Sequence, residues 1–149
     1  IIEDTSYAYD KYGNCIIAIF SDISTIHYNK YDKHGNCLFT KTKDNNCNIA
    51  WNKYKYDKNN NIILSEDSSG CRNICKYCKY GIIEDEYYID DTKIKNYKYK
   101  YDKYGHLIEK INMLNNKIEE KYKYDKFGNV IYKEDFNGYY TNIEYEYFK

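Results

Sequence analysis

The chain has no proline, one methionine and one tryptophan, and Arg72 is its only arginine. The absence of proline, with the bias to Lys, Asn, Ile and Tyr, reads as AT-rich coding and bears on source rather than on function. The near absence of arginine matters more, because its planar guanidinium is the usual fork for phosphates and base edges. Net charge is absent too: 23 basic and 23 acidic residues give a formal charge of +0. A neutral, arginine-poor chain lacks the electrostatic footprint of a nucleic-acid binder, so no nucleic-acid partner is expected. No apolar run approaches the roughly 20 residues that a spanning helix needs, so no membrane span is expected. No signal-peptide pattern is visible, and the chain opens on Ile1 rather than Met, from which a processed or excised start is expected.

Conventional core residues are also scarce. Leu, Ile, Val and Phe make up 30 of 149 residues, a fraction that borders on the range of disordered chains. Disordered chains are poor in aromatics, however, and this one is 19% aromatic with 22 tyrosines. The tyrosines are expected to supply the missing apolar area, since each ring can bury roughly 150–250 Å² while its hydroxyl finds water or a partner.

These tyrosines fall in a repeat. Tyr9-Asp10-Lys11-Tyr12-Gly13-Asn14 recurs as Tyr31-Asp32-Lys33-His34-Gly35-Asn36 and Tyr56-Asp57-Lys58-Asn59-Asn60-Asn61. It returns as Tyr101-Asp102-Lys103-Tyr104-Gly105-His106 and Tyr124-Asp125-Lys126-Phe127-Gly128-Asn129, with a degenerate copy at Tyr77-Cys78-Lys79-Tyr80-Gly81-Ile82. The anchoring tyrosines at 9, 31, 56, 77, 101 and 124 are spaced by 22, 25, 21, 24 and 23 residues, and Tyr147 follows after another 23. Recurrence at this period signals stacked repeats rather than one irregular core.

Each unit reads as strand, tight turn, strand, looser turn. Lys121-Tyr122-Lys123-Tyr124 alternates charge and ring with period two, as a strand with one lysine face and one tyrosine face does. Asp-Lys-x-Gly then forms a three-residue hairpin loop closed by a bulge, with the glycine at positive φ. Asn60 replaces glycine in one copy, and asparagine tolerates the same left-handed region. Return strands begin at Cys15, Cys37, Ile62, Leu107 and Val130. The looser turns fall at Ser21-Asp22, 43–46, 67–70, Asp90-Asp91, Asn115-Asn116 and 136–138. Residues 111–121 carry a weak helical pattern, but strand–turn–strand fits the repeat better. The expected fold class is therefore all-β: tandem β-hairpins forming a long, twisted or spiralling antiparallel meander. Residues 1–149 form a single block of six repeats. The six anchoring rings should lie on one face, more buried than the lysines between them, because a register slip of one residue would bury the charges.

Tyr-x-Tyr-Asp-x-x-Gly-Asn, followed by a strand, an Asn-Gly turn and the next Tyr-x-Tyr, resembles the YD repeat, also called the RHS repeat. Residues 122–147 carry the pattern best: Tyr122, Tyr124-Asp125, Gly128-Asn129, Asn137-Gly138, Tyr145 and Tyr147. The resemblance implies hairpins wound into a spiralling sheet, which in large members closes into a shell around cargo. In other members it implies wall-associated or surface proteins linked to carbohydrate binding and cell contact. It points to an extracellular or cell-surface setting for a larger bacterial protein. The family's self-cleaving aspartate segment and toxin domain have no counterpart in this chain, and six units are too few to enclose a cargo. MORN-type repeats share the period but carry a glycine-tryptophan pattern that is missing here.

One local motif points to chemistry. Cys71-x3-Cys75-x2-Cys78 has the spacing of the cluster loop of radical S-adenosylmethionine enzymes, in which three thiolates hold an iron–sulfur cluster. Such enzymes need a βα barrel, and this chain offers hairpins. A zinc site would take Cys47 as the fourth ligand. Thiols in a reducing setting are the default, so no metal and no cofactor is expected, with Cys71, Cys75, Cys78 and Cys47 as the candidate ligands. Cys15 and Cys37 occupy equivalent positions two strands apart, about 9–10 Å, which is too far for a disulfide. His34 and His106 fall in turns, and His27 stands apart from them. The recurrent aspartates invite a calcium or acid–base reading, but turn formation suffices to explain them. No catalytic residue is assigned and no enzyme is expected. The expected role is a structural or binding module whose partners are other repeats of the same polypeptide, a carbohydrate or a protein. The alternatives are a carbohydrate-binding module built on exposed tyrosines and, more remotely, a cysteine-cluster metalloenzyme.

Overall fold

The computed structural model describes residues 5–21 and 24–147. These contain thirteen β-strands and no helix. The strands follow one another through a single open antiparallel sheet in sequence order, as a meander of consecutive hairpins. Their Cα positions gather into two compact units, one reaching to Ile74 and including Tyr88–Thr92, the other Cys75–Tyr87 with Lys93 onwards. The first unit carries β1 (Thr5–Tyr9), β2 (Cys15–Phe20), β3 (Thr25–Tyr31), β4 (Cys37–Lys43), β5 (Ile49–Tyr56) and β6 (Ile62–Asp67). Three strands contribute to both units: β7 (Cys71–Cys78), β8 (Gly81–Ile89) and β9 (Thr92–Tyr101). The second also holds β10 (Leu107–Asn112), β11 (Lys117–Tyr124), β12 (Val130–Asp135) and β13 (Tyr140–Asn142). The segment with a weak helical pattern is thus strand, turn and strand. Asp22, assigned above to a turn, lies outside the described residues.

Five of the six signatures build the same turn; the degenerate copy instead joins β7 to β8 through the two residues Lys79 and Tyr80, with Gly81 already in β8. The Asp10 N–H donates to the Asn14 carbonyl at 2.9 Å, and Gly13 N–H returns to the Asp10 carbonyl at 3.1 Å. The loop within that closure is three residues long. A bulge precedes it, and Tyr9, Tyr31, Tyr56, Tyr101 and Tyr124 each pair with the residue six positions on. The glycines have positive φ, and so does Asn60 at 64°. The turn between β4 and β5 puts Cys47 in the glycine place, at φ 63°.

At Gly105 the backbone demand and the packing demand coincide. Its φ is 96°, and a Cβ there would stand 2.7 Å from Tyr80 Cδ1. Tyr80 lies across this turn and its hydroxyl donates to the Lys103 carbonyl at 2.6 Å. Gly13, at φ 88°, has nothing within 4 Å of the same position. Gly13→Ala is expected to cost about 1–2 kcal/mol for left-handed strain alone. Gly105→Ala should cost about 1 kcal/mol more, because Tyr80 must leave its hydrogen bond. Urea unfolding midpoints of the two variants measure the difference.

Period two holds along the strands. Tyr54 and Tyr56 are half-buried between exposed Lys53 and Lys55; Tyr97, Tyr99 and Tyr101 alternate likewise with exposed Lys98 and Lys100. The rings do not form a closed core, however. Among the described residues only Ala18 and Cys75 are buried hydrophobics. Five anchoring tyrosines are half-buried, while Tyr9 is 59% exposed on β1, which has a sheet neighbour on one side only. A single layer of sheet shelters its side chains only with neighbouring strands, so the ring ladder is a partly covered face rather than an interior.

Candidate functional site

The candidate cysteines are not brought together. Cys71, Cys75 and Cys78 lie along the extended strand β7. At the strand rise, Cys71 and Cys75 are about 13 Å apart, and Cys78 points to the opposite face. A tetrahedral zinc site holds each thiolate about 2.3 Å from the metal, which this strand does not allow. Cys47 sits in the β4–β5 turn instead. Among the described residues no group of three or more His, Cys, Asp or Glu is placed to hold a metal ion. The buried Cys75 thiol lies 3.7 Å from the Asp85 carboxylate. Cys15 and Cys37, on β2 and β4, do share one local arrangement. Their thiols donate to the carbonyls two residues on, Ile17 at 3.3 Å and Phe39 at 3.5 Å.

The signature aspartates are engaged by their own turns, and Asp125 also accepts the Tyr147 hydroxyl. Asp10 Oδ1 accepts the N–H groups of Tyr12 and Asn14 at 2.8 and 3.0 Å, and Oδ2 accepts the Asn14 amide at 2.9 Å. Asp32 and Asp57 repeat the brace with Asn36 and Asn61. At Asp102 the amide gives way to His106, whose Nδ1 lies 3.0 Å from Oδ2. Both carboxylate oxygens are thus engaged by turn donors, and the turn-forming reading accounts for them.

The sequence reading missed that three looser turns carry the same brace. Asp44 takes N–H groups from Asn46 and Asn48, Asp67 from Ser69 and Cys71, and Asp135 from Asn137 and Tyr139. The signal was Asp followed four residues later by a turn-closing residue, hidden because no tyrosine precedes these copies.

These hydrogen bonds set how the turns respond to acid. The side-chain amides of Asn14, Asn36, Asn48 and Asn61, aided by backbone N–H groups, hold Asp10, Asp32, Asp44 and Asp57 below the usual carboxylate range. A lowered folded pKa gives stability that is present above the unfolded value of about 4 and lost as pH falls through the folded one. Two tyrosines act at the other end. Burial, then the Asp85 charge, pushes Tyr99 up to about 12. Burial, then the hydrogen bond to Glu120, pushes Tyr122 up to about 12. A raised pKa gives stability that is present below the unfolded value of about 10 and lost as pH rises towards 12. Melting temperature is therefore expected to be flat between these limits and to fall on both sides, with a late tyrosinate absorbance phase on the alkaline side.

The anchoring tyrosines do more than fill space. Tyr56 donates its hydroxyl to the Cys37 carbonyl, Tyr101 to Ile82 and Tyr124 to Leu107, each at 2.8 Å. Each bond ties one hairpin to the one before it. At the tight-turn edge of the second unit, His106 stacks on Tyr124 at 4.6 Å, and Tyr104, Phe127 and Lys126 help frame a groove of about 310 Å³. The lone arginine joins two turns in the first unit. Arg72 pairs with Asp91 at 3.3 Å and covers the Tyr88 ring at 4.5 Å, while Asp90 N–H donates to the Gly70 carbonyl. The arrangement brings together stacked rings, satisfied carboxylates and interlocked turns.

No family model and no curated protein sequence matches the chain. Solved structures do match in fold. A complex described as TcdB2-TccC3-Cdc42 aligns with TM-score 0.72 and 15% identity over 88% of this chain and 7% of that one. The Photorhabdus luminescens Tc holotoxin pore aligns with TM-score 0.71 and 16% identity over 88% and 7%. TcdB2-TccC3 alone gives 0.72 and 17% over the same shares. The chain spans about 7% of the length of the solved chains it matches. Among the described residues no helix is long and apolar enough to cross a membrane. The hairpin meander read from the sequence is thus a fold shared with chains of these toxin complexes, in keeping with the resemblance to the YD repeat.

Proposed function

We propose that the chain is a non-catalytic structural repeat module, one stretch of a longer RHS/YD-type sheet in a larger bacterial surface or secreted protein. One observation carries this reading: a single layer of thirteen strands buries only Ala18 and Cys75 among its described hydrophobic residues. Such a sheet is stabilised chiefly by its neighbours in the stack. Its outer strands β1 and β13 each have one partner and are largely exposed, which leaves their outer N–H and C=O groups for further strands. The small share of the matching toxin chains that it covers supports the same reading.

The test is amide hydrogen exchange on β1 and β13, measured in the chain alone and in the polypeptide from which it comes. Protection of both strands is expected only in the longer polypeptide. Equal exchange in the two settings would sink the proposal. The carbohydrate-binding alternative predicts ligand-dependent protection of exposed rings such as Tyr12 and Tyr104, and hits on a glycan array.

A further inference from the structure

The formal charge of +0 conceals a segregation of charge in the first unit. Register places Tyr28, Lys41 and Trp51 in one cross-strand row, and Lys30, Phe39, Lys53 and Glu66 in the next. Ile26, Lys43 and Ile49 form a third row, and Lys55 faces Leu64. Directly opposed residues share a face, and so do residues two apart on a strand. All these side chains therefore occupy one face, which holds five lysines against Glu66, a balance of 5 − 1 = +4. The other face carries the rows His27-Thr42-Ala50 and Asn29-Thr40-Asn52-Asp67, without a lysine.

None of the five lysines makes an ion pair among the described residues; Lys53 instead lies 4.6 Å over the Trp51 ring. The second unit differs. There Lys100 pairs with Glu109 at 2.6 Å, and Lys121 stands opposite Glu109 and Glu134. Lysine–tyrosine alternation does not by itself produce the uncompensated face. On that face Phe39 and Leu64, with Lys30, Lys53, Lys55 and Glu66, frame a groove of about 430 Å³.

The geometry points to this face of the first unit as a docking surface for an extended acidic polypeptide segment. Unpaired lysines call for an anionic partner by charge complementarity. Lys41 and Lys43 on β4, and Lys53 and Lys55 on β5, repeat along their strands at about 6.6–6.8 Å, the spacing of alternate side chains in an extended segment. Carboxylates at alternate positions match that spacing, and aliphatic side chains of the partner fit over Phe39 and Leu64. A nucleic acid would lack the arginine forks that read base edges. A bilayer would meet a groove rather than a protruding apolar wedge.

Trp51, the only tryptophan, stands on this face and reports its occupancy. The probe is a short fluorescein-labelled peptide repeating Glu-Val-Glu-Ser, titrated with the whole chain. Binding should change Trp51 emission and weaken as salt screens the lysines. The double variant Lys30→Glu/Lys55→Glu is expected to lose about tenfold or more in affinity. Lys98→Glu/Lys123→Glu makes the same charge change in the second unit and should alter affinity less than about twofold. Lys30→Gln/Lys55→Gln, checked by circular dichroism, serves if charge reversal impairs folding. Absence of peptide binding, equal loss in both pairs of variants, or tighter binding of phosphatidylserine vesicles or of single-stranded oligothymidylate would overturn the assignment.

Discussion

Tyr124→Ala is expected to lower the free energy of unfolding by about 2–4 kcal/mol, and Tyr124→Phe by about 1 kcal/mol. The ring is half-buried, so roughly half of its 150–250 Å² leaves water on folding, worth about 2–3 kcal/mol. Its hydroxyl donates to the Leu107 carbonyl of the preceding hairpin, and His106 stacks on it. Truncation removes ring, stack and bond, whereas the phenylalanine variant removes the bond alone. Tyr56→Ala and Tyr101→Ala should behave alike, since each makes the equivalent bond. Tyr9→Ala should cost less than about 1 kcal/mol, because most of that ring is already in water. Urea unfolding of the four alanine variants decides the matter. Equal losses at Tyr9 and Tyr124 would show that hairpin docking is not the source of stability.

Deleting residues 124–149 should destabilise the chain in part and leave the remaining strands folded. The deletion removes β12 and β13 and turns β11 into an edge. Each hairpin chiefly contacts its neighbours, so the loss is expected to be local. Amide exchange should quicken in β10 and β11 while β2 to β5 keep their protection, and the strand signal in circular dichroism should fall roughly in proportion to the residues removed. Complete unfolding of the truncated chain would mean that stability is pooled over the whole sheet.

Much of this architecture was legible because backbone demands repeat visibly. Tyrosine alternating with lysine marked the strands, and glycine four residues after each anchor marked the turns. Asn60, in the glycine place, identified that position as conformational rather than chemical. What escaped was non-local. The second set of aspartate braces lacked the tyrosine that flags the first. The clasp of Arg72 on Asp91 joins residues far apart in sequence. The lysine face of the first unit depends on pairing register, which spacing does not supply. The burial expectation went too far for a related reason: alternation tells which side chains share a face, not what lies over that face. The cysteine motif has the spacing of a cluster loop, but β7 stretches it along a strand.

The acceptors used by the anchoring tyrosines have a consequence for how such a chain changes over generations. Three of the six hydroxyls, those of Tyr56, Tyr101 and Tyr124, are received by a main-chain carbonyl, at Cys37, Ile82 and Leu107, three residues whose side chains have little in common. Every amino acid carries that carbonyl, so the receiving position places no demand on residue identity. A unit copied, lost or shuffled within the array meets a usable acceptor wherever it lands, provided the strand register survives. Repeats joined in this way can drift far apart in sequence while their docking stays intact.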